Sequence, residues 1–481
     1  MLDLDKQAGD YLYRQVIDLI VENIDSGTLR PGDRLPSLRR MSKNAGVSVP
    51  TVRQAYVELE RQRKVESRPK SGFYVRNQLR NDIVRPSPGV APDPGPLQCR
   101  SLMERVYEGI YNPELVPLGV ANPTMARPAA KALNRAMKRM LGSTDEAVLS
   151  YATSHGALRL RRQIAWHYFD TLGARVDPES ICITNGGQEG LLLALKAVTE
   201  PGDIVAVESP TYHGILELID SLGLLAVDVS TCPEEGVMTQ RLTEVLDRHD
   251  VKVCVFSTTL NNPLGVTMPD EDRRRLADIL ADRGIPLIED DVYGELRFDG
   301  VRPTPVQFLE RGVDVITVGS FSKTVAPGYR TGWVVSSARH DEILRLKRSF
   351  SITSGFVQQL TLADFMASGD YARHLYALRP VLKRNCERMS ALVGQHFPAE
   401  TRVSQPVGGS VLWLELPQDV SGERLFDDAL GAGISINPGP IYTPCGCYEN
   451  FIRLSFGHRW DKRTEDAVRW LGRRVGEMAS A

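Results

Sequence analysis

From about residue 110 onward, short apolar runs alternate with amphipathic helical segments. The runs are Ile181-Cys-Ile-Thr184, Ile204-Val-Ala-Val207, Val251-Lys-Val-Cys-Val-Phe256, Pro286-Leu-Ile288 and Val315-Ile-Thr-Val318. Continuous rather than alternating hydrophobicity is the mark of strands covered on both faces, and the alternation with helices predicts an α/β unit with a mainly parallel sheet. In such sheets ligands sit beyond the carboxyl ends of the strands. The polar residues just after each run are therefore the candidates for chemistry.

The last of these runs leads into Gly319-Ser-Phe-Ser-Lys323-Thr-Val-Ala-Pro-Gly-Tyr-Arg330. A lysine poised at a strand end can form a Schiff base, provided its surroundings lower a pKa that is ordinarily about 10.4. Burial or a cation such as Arg330 would do so. Gly186 and Gly187, with Gln188, come after another strand and would open a helix whose amides and positive dipole end suit a phosphate, helped by Ser320, Ser322 and Arg330.

The first hundred residues differ in character. Tyr11 to Ile24 carries an apolar stripe at spacings of three and four (Leu12, Val16, Leu19, Ile20, Ile24), which predicts an amphipathic helix. Ser37 is placed to cap a short second helix, Gly46 to turn the chain after it, and Ser48 to cap a third whose buried stripe is Val52, Ala55, Tyr56 and Leu59. Helix, glycine turn, helix is the grammar of a helix-turn-helix. Lys64 to Val75 then reads as two short strands around a Pro/Gly turn, with Arg68 and Lys70 near the tip. Between Arg34 and Arg80 stand twelve arginines and lysines against three glutamates, an excess of nine positive charges in a chain whose net charge is −2. Nucleic acid responds to such a local potential and not to the total.

Residues 77–96 hold Pro86, Pro88, Pro92, Pro94 and Pro96 with little apolar pattern, the composition of a semi-rigid linker. The chain is thereby expected to divide into 1–76, a linker at 77–96, and 97–481. The seven cysteines lack zinc-finger spacing, which predicts reduced thiols, no metal site and an ordinary turn at Cys445-Gly-Cys447. No run of about 18 apolar residues is present and Met1 to Lys6 has no signal-peptide order, so a cytoplasmic protein without membrane contact is expected.

Leu35-Pro-Ser-Leu-Arg39, Val47-Ser-Val-Pro-Thr-Val52 and Arg68-Pro-Lys-Ser-Gly-Phe-Tyr-Val75 resemble the winged helix of GntR-family repressors. The resemblance implies binding to double-stranded operator DNA, with Ser48, Thr51 and Arg53 at the bases, Arg39 on a phosphate, and Arg68, Lys70, Ser71 and Gly72 in the wing. Pro50 stands where that family more often has a polar or basic residue. Thr184-Asn-Gly-Gly-Gln-Glu-Gly190, Ser209-Pro-Thr-Tyr212, Asn261-Asn-Pro-Leu-Gly265, Asp290-Asp-Val-Tyr293 and Phe451-Ile-Arg-Leu454 resemble, in this order, fold-type I aminotransferases, whose smaller C-terminal subdomain is α+β.

That second resemblance implies pyridoxal 5'-phosphate (PLP) as cofactor. Lys323 would carry it as a Schiff base, Asp290 would pair with the pyridine nitrogen, Asn262 and Tyr293 would bond the ring oxygen, and Tyr212 would stack on the ring. Tyr151 would reach the phosphate of a partner subunit in a homodimer, and Arg453 would clasp a substrate carboxylate. His155, His374 and His458 are expected to be structural. The whole chain resembles the MocR subfamily of GntR regulators, which implies a transcriptional regulator sensing an amino acid or other amine. The alternative is an aminotransferase with an appended DNA-binding segment, since fold does not fix function.

Overall fold

The computed structural model describes residues 11–25, 28–29, 33–61, 64–68, 72–75, 93–121, 127–142, 150–232, 236–309 and 311–480. Lys70, Ser71, the Arg68 side chain and residues 77–92 of the expected linker lie outside the described residues. The chain divides into two compact units.

The smaller unit has helices α1 (Leu12–Asp25), α2 (Leu38–Ala45) and α3 (Val49–Arg61), then strands β1 (Val65–Arg68) and β2 (Gly72–Val75). Local chemistry sets the helix ends. Ser37 Oγ accepts the Arg40 N–H (3.3 Å), and Gly46 closes α2 with a left-handed φ of 64°. Ser48 Oγ accepts the Thr51 N–H (3.3 Å) at the start of α3. The stripe Val52, Ala55, Tyr56 and Leu59 is fully buried against Val16 and Ile20 of α1. The Tyr56 hydroxyl donates to the Pro36 carbonyl (2.9 Å). β1 and β2 pair antiparallel, Val65 opposite Val75, as a two-stranded wing.

The larger unit begins with α4 (Arg100–Tyr111), β3 (Val116–Pro117), α5 (Arg127–Gly142) and α6 (Leu158–Leu172). Its main alternation is β4 (Ile181–Thr184), α7 (Gly187–Val198), β5 (Ile204–Ser209), α8 (His213–Ser221), β6 (Leu225–Cys232), β7 (Gly236–Val237), α9 (Thr239–Arg248), β8 (Val251–Phe256), α10 (Asp270–Arg283), β9 (Leu287–Asp290), β10 (Val315–Ser320) and β11 (Gly332–Val335). These strands form one sheet in the order β4-β11-β10-β9-β8-β5-β6-β7. It is parallel except for β11 and β7, as the apolar runs predict.

Helices α11 (His340–Phe350), α12 (Phe356–Ala367) and α13 (Asp370–His396) lead to a second, antiparallel layer. It is built from β12 (Arg402–Val403), β13 (Val411–Glu415), β15 (Asn437–Pro438) and β16 (Phe451–Ser455) in the order β12-β13-β16-β15. Helices α14 (Gly422–Gly431) and α15 (Lys462–Ala479) accompany it, and β14 (Ile434–Ser435) pairs with β3. This is the α+β subdomain expected at the C-terminus. Among the described residues no helix is long and apolar enough to cross a membrane.

The centre of the main sheet leaves no room for an added carbon. Gly319 pairs with Trp333 across β10 and β11, and a Cβ on Gly319 would lie 2.3 Å from the indole. That ring is held by Tyr168 (Nε1 to hydroxyl, 3.1 Å) and packs on Phe321. Gly319→Ala is expected to destabilise the larger unit by about 1–3 kcal/mol through overpacking, measured as a lowered thermal midpoint.

Candidate functional site

Because β4, β5, β8, β9 and β10 run parallel, their carboxyl ends share one edge of the sheet. Thr184, Ser209, Phe256, Asp290 and Ser320 are the last residues of those strands. At β4 the chain turns through Gly186 (φ 80°) straight into α7, and a Cβ on Gly186 would lie 2.5 Å from the Arg330 guanidinium. Arg330, itself left-handed (φ 45°), donates to the Asn185 carbonyl (2.9 Å). The first-turn amides of α7 have no helical acceptor, and Arg330 lies against the turn that leads into them. Gly187 lies beside Ser320, whose hydroxyl bonds that of Ser322 (3.0 Å). The Gln188 side chain is committed to the Gly214 carbonyl (2.8 Å), which leaves its backbone amide for a ligand.

Lys323 comes after β10 and is half-buried, donating to the Ala121 carbonyl (3.0 Å) with Nζ 6.0 Å from the centre of the Tyr293 ring. Burial first, then Arg453 and to a lesser degree Arg330, push its pKa down to about 8 against the pull of Asp290. Arg330 was the cation expected from sequence, and Arg453 proves the stronger neighbour. Burial pushes the Asp290 carboxyl up to about 7, with Val292 N–H (3.3 Å) and Lys323 opposing and Asp291 reinforcing. Asp291 is ion-paired with the buried Arg302, so Asp290 is the carboxyl left for a ligand. The Tyr293 hydroxyl, buried beside Ser410, makes no ordinary hydrogen bond, and burial pushes it up to about 12.

Arg453 is the register partner of Trp413 in β13 and is 2% exposed. It donates to Asn262 Oδ1 (3.3 Å) and to the Gly119 carbonyl, and lies 5.6 Å from the centre of the Tyr442 ring. Its Nε has no partner, and no carboxylate lies in ion-pair range among the described residues. A buried guanidinium facing only neutral oxygens is costly to leave uncompensated. It marks where an anionic ligand would fit.

Sequence reasoning missed His213, next to Tyr212 in the same motif. Its ring lies 4.8 Å from that of Tyr212, its Nδ1 is 3.3 Å from the Tyr107 hydroxyl, and burial, then Arg453 and Lys323, push its pKa down to about 3. The Gly119 and Ala121 carbonyls were also missed, since backbone acceptors leave no mark in a sequence. Tyr151 is 85% exposed. His374 bonds the Thr324 carbonyl (2.8 Å), His458 the Thr464 hydroxyl (3.2 Å), and the His155 ring lies 5.3 Å from that of His340. The expectation of seven thiols is corrected at Cys445 and Cys447, which are paired as a disulfide in the turn after Tyr442. Their sulfurs meet because only one residue separates them and the chain reverses at Gly446 (φ 68°).

In the smaller unit Arg39 and Arg53 are exposed, as is Gly72 in the wing (φ 112°). Thr51 is half-exposed, and its hydroxyl bonds that of Ser48 (2.8 Å), so Ser48 both caps α3 and stands at its surface.

A winged helix-turn-helix with a basic exposed face, accompanied by an α/β unit that gathers a lysine, a buried carboxyl and two arginines at one sheet edge, defines a DNA-binding regulator built on an aminotransferase fold. The model for bacterial regulatory proteins of the gntR family matches residues 12–75, and that for aminotransferase class I and II matches residues 113–469. The uncharacterized HTH-type transcriptional regulator YdcR of Escherichia coli is 34% identical over 97% of this chain and 99% of its own length. The probable rhizopine catabolism regulatory protein MocR of Rhizobium meliloti is 28% identical over 91% and 88%. Among solved structures, LysN, the α-aminoadipate aminotransferase of Thermus thermophilus, complexed with N-(5'-phosphopyridoxyl)-L-leucine, is similar with a TM-score of 0.70 and 28% identity, over 80% of this chain and 95% of that one. The chain belongs to the aminotransferase class I and II family and, with its gntR head, to the MocR-like transcriptional regulators.

The lowered pKa of Lys323 is also a statement about stability. Between about pH 8 and its unfolded value of 10.5 the folded protein binds fewer protons at Lys323, so this lysine costs stability below pH 8 and ceases to as pH rises toward 10.5. Lys323→Met is expected to raise the thermal midpoint of the cofactor-free protein at pH 7, with a gain that shrinks steadily between pH 8 and 10.5.

Proposed function

We propose that this regulator holds PLP at the carboxyl edge of the main sheet and there reads an amino acid, or another amine bearing a carboxylate, to adjust its grip on operator DNA. The carrying observation is Arg453, a buried guanidinium without a carboxylate partner, in the same pocket as Lys323, whose pKa is pushed down to about 8. The residues present fit the cofactor. The amides of Gly187 and Gln188 with Arg330, Ser320 and Ser322 would hold the phosphate, Gly186 leaving the space that Arg330 needs. Asp290 would bond the ring nitrogen, the unsatisfied Tyr293 hydroxyl and Asn262 the ring oxygen, and Tyr212 would face the ring. The phosphopyridoxyl compound carried by LysN supports this reading. When bound, PLP supplies an aldehyde for the Lys323 amine and a ring that draws electrons from an attached amine.

Lys323 would hold the cofactor through its amine and would yield that place to a competing effector amine. Arg453 orients the effector by its carboxylate, and the depressed Lys323 pKa keeps a usable fraction of free amine near neutral pH. In the smaller unit, Arg53 with Thr51 and Ser48 would meet base edges, Arg39 a phosphate, and the wing residues Arg68, Lys70, Ser71 and Gly72 the flanking backbone. The segmentation into 1–76, a linker at 77–96 and 97–481 belongs to this proposal, as does a cytoplasmic homodimer in which the exposed Tyr151 reaches the partner's cofactor.

Arg39→Ala and Arg53→Ala should weaken operator binding without altering PLP content. Removing a phosphate contact flattens the salt dependence by about one unit of slope, and removing a base contact costs about 1–3 kcal/mol on the cognate sequence. Filter binding over a salt series decides it; unchanged affinity in both variants sinks the proposed interface.

Arg453→Leu should retain PLP, seen as visible absorbance and a borohydride-reducible link to Lys323, while losing the spectral response to amino acids by about tenfold or more in affinity. In the wild type, operator DNA should change the affinity for the responsive amino acid by the same factor as that compound changes the affinity for DNA, about 5- to 150-fold for ordinary coupling. Equal effector affinities with and without DNA would leave an aminotransferase carried on a DNA-binding head.

A further inference from the structure

Behind the N-terminus of α7 sits a pair of charges that the proposed chemistry does not use. Glu189 is the third residue of α7, and its carboxylate bonds Asn185 twice, at the backbone N–H (2.6 Å) and at the side-chain amide (3.1 Å). Asn185 in turn offers its carbonyl to Arg330 (2.9 Å). The oxygen that accepts the Asn185 N–H, Oε2, also accepts from Lys347 of α11 (2.6 Å), whose fully buried side chain donates to the Ser354 hydroxyl as well (2.8 Å). Burial alone would raise the Glu189 pKa, but Lys347, then the Ser351 side chain and the Asn185 N–H, hold it below the ordinary carboxylate value. Glu189 is therefore ionised.

A carboxylate in the first turn of a helix takes up the positive end of the helix dipole, the same end an anionic ligand needs. Left alone, Glu189 would occupy that potential and repel a phosphate bound at the same helix end. Its two bonds to Asn185 are nevertheless useful, since they fix the turn that presents Gly186 and the acceptor that holds Arg330. Lys347 reconciles the two demands. We propose that Lys347 is a positioning residue for the cofactor phosphate: by neutralising Glu189 from behind, it lets that carboxylate brace the Asn185-Gly186 turn while the amide end of α7 and Arg330 stay available to an anion. This rests on the reading that a phosphate binds at α7, and the experiment is arranged to separate the two.

PLP uptake, by visible absorbance, and inorganic phosphate binding, by calorimetry, are measured at pH 8 for the wild type and four variants, with thermal midpoints recorded alongside. Lys347→Met should raise both dissociation constants by about tenfold, the ordinary scale for one uncompensated charge at a partly buried helix end. Glu189→Gln keeps one acceptor oxygen for the Asn185 backbone N–H, gives up the bond from the Asn185 side-chain amide and leaves the Lys347 charge in place, so it should bind phosphate about threefold more tightly than the wild type. The double variant Glu189→Gln/Lys347→Met, neutral at both positions, should return to within about threefold of the wild type.

The sign of the Glu189→Gln effect carries the test even if Lys347→Met does not fold. Weaker phosphate binding in Glu189→Gln, or equal losses in Lys347→Met and the double variant, would mean the pair acts only as a structural brace and overturns the inference. Arg330→Ala is the control for the site itself. If it lowers phosphate affinity while neither member of the pair changes it, the inference fails and the phosphate site stands. If the wild type takes up neither PLP nor phosphate, both fall together.

Discussion

The direction of the strands is the constraint on which the site depends. With β4, β10, β9, β8 and β5 parallel, their carboxyl ends must meet at one edge, and each delivers the residues just beyond it: Gly186 from β4, Tyr212 from β5, Asn262 from β8, Asp290 and Tyr293 from β9, Lys323 from β10. Residues separated by more than a hundred positions thereby share one pocket without any long-range sequence signal. The antiparallel β11 contributes in its own way, entering the sheet at Gly332 just after Arg330, so that this arginine stands at the same edge. The second sheet then brings Arg453 from β16 against Asn262, closing the pocket from the C-terminal layer.

Charge in that pocket is unbalanced. Arg453 and Arg330 stand near Lys323, whereas Asp290, whose carboxyl burial pushes up to about 7, is the carboxyl that acts on Lys323. Asp291, one residue on, is committed to Arg302, and Glu189 is committed to Lys347. Asp291 and Glu189 are thus held by structural cations, Glu208 is held by the neutral donors Ser257 and Asn261, and Asp290 has no cation paired to it among the described residues. Burial first, and then the neighbouring charges of Arg453 and Lys323, hold the pKa of His213 far below the ordinary imidazole value.

Much of this was legible in the residues because it is local. The apolar runs place the glycine pair and the lysine just after strands, the roles of Asp290 and Tyr293 came from the resemblance to fold-type I aminotransferases, and the helix-turn-helix announces itself through Ser37, Gly46 and Ser48. The parts that were not legible depend on chain segments that meet only in the fold. Nothing in the sequence around Gly119 and Ala121 indicates that their carbonyls receive Arg453 and Lys323. Lys347 sits in an ordinary charged helix, and only the packing of α11 behind α7 gives it meaning. Cys445 and Cys447 were read by the absence of a framework, a rule about distant cysteines that does not govern two separated by a single glycine.

A pocket that carries uncompensated buried charge is less stable than its fold could be, so a ligand that supplied the missing charge would be felt as added stability. Anything that supplies the missing anions, a phosphate at α7 or a carboxylate at Arg453, binds the folded unit and not the unfolded chain, and so stabilises it in proportion to its occupancy. The carbonyls of Gly119 and Ala121 make the exchange concrete. Both belong to the segment after β3, and both hold cations that the proposed ligands would engage instead. Occupying Lys323 and Arg453 would therefore release two bonds from one short segment, and the free energy difference between its held and released arrangements sets how far a ligand can shift the protein. A site optimised only for stability would have paired Arg453 with an acid of its own, and would then have had nothing to say about the carboxylates around it.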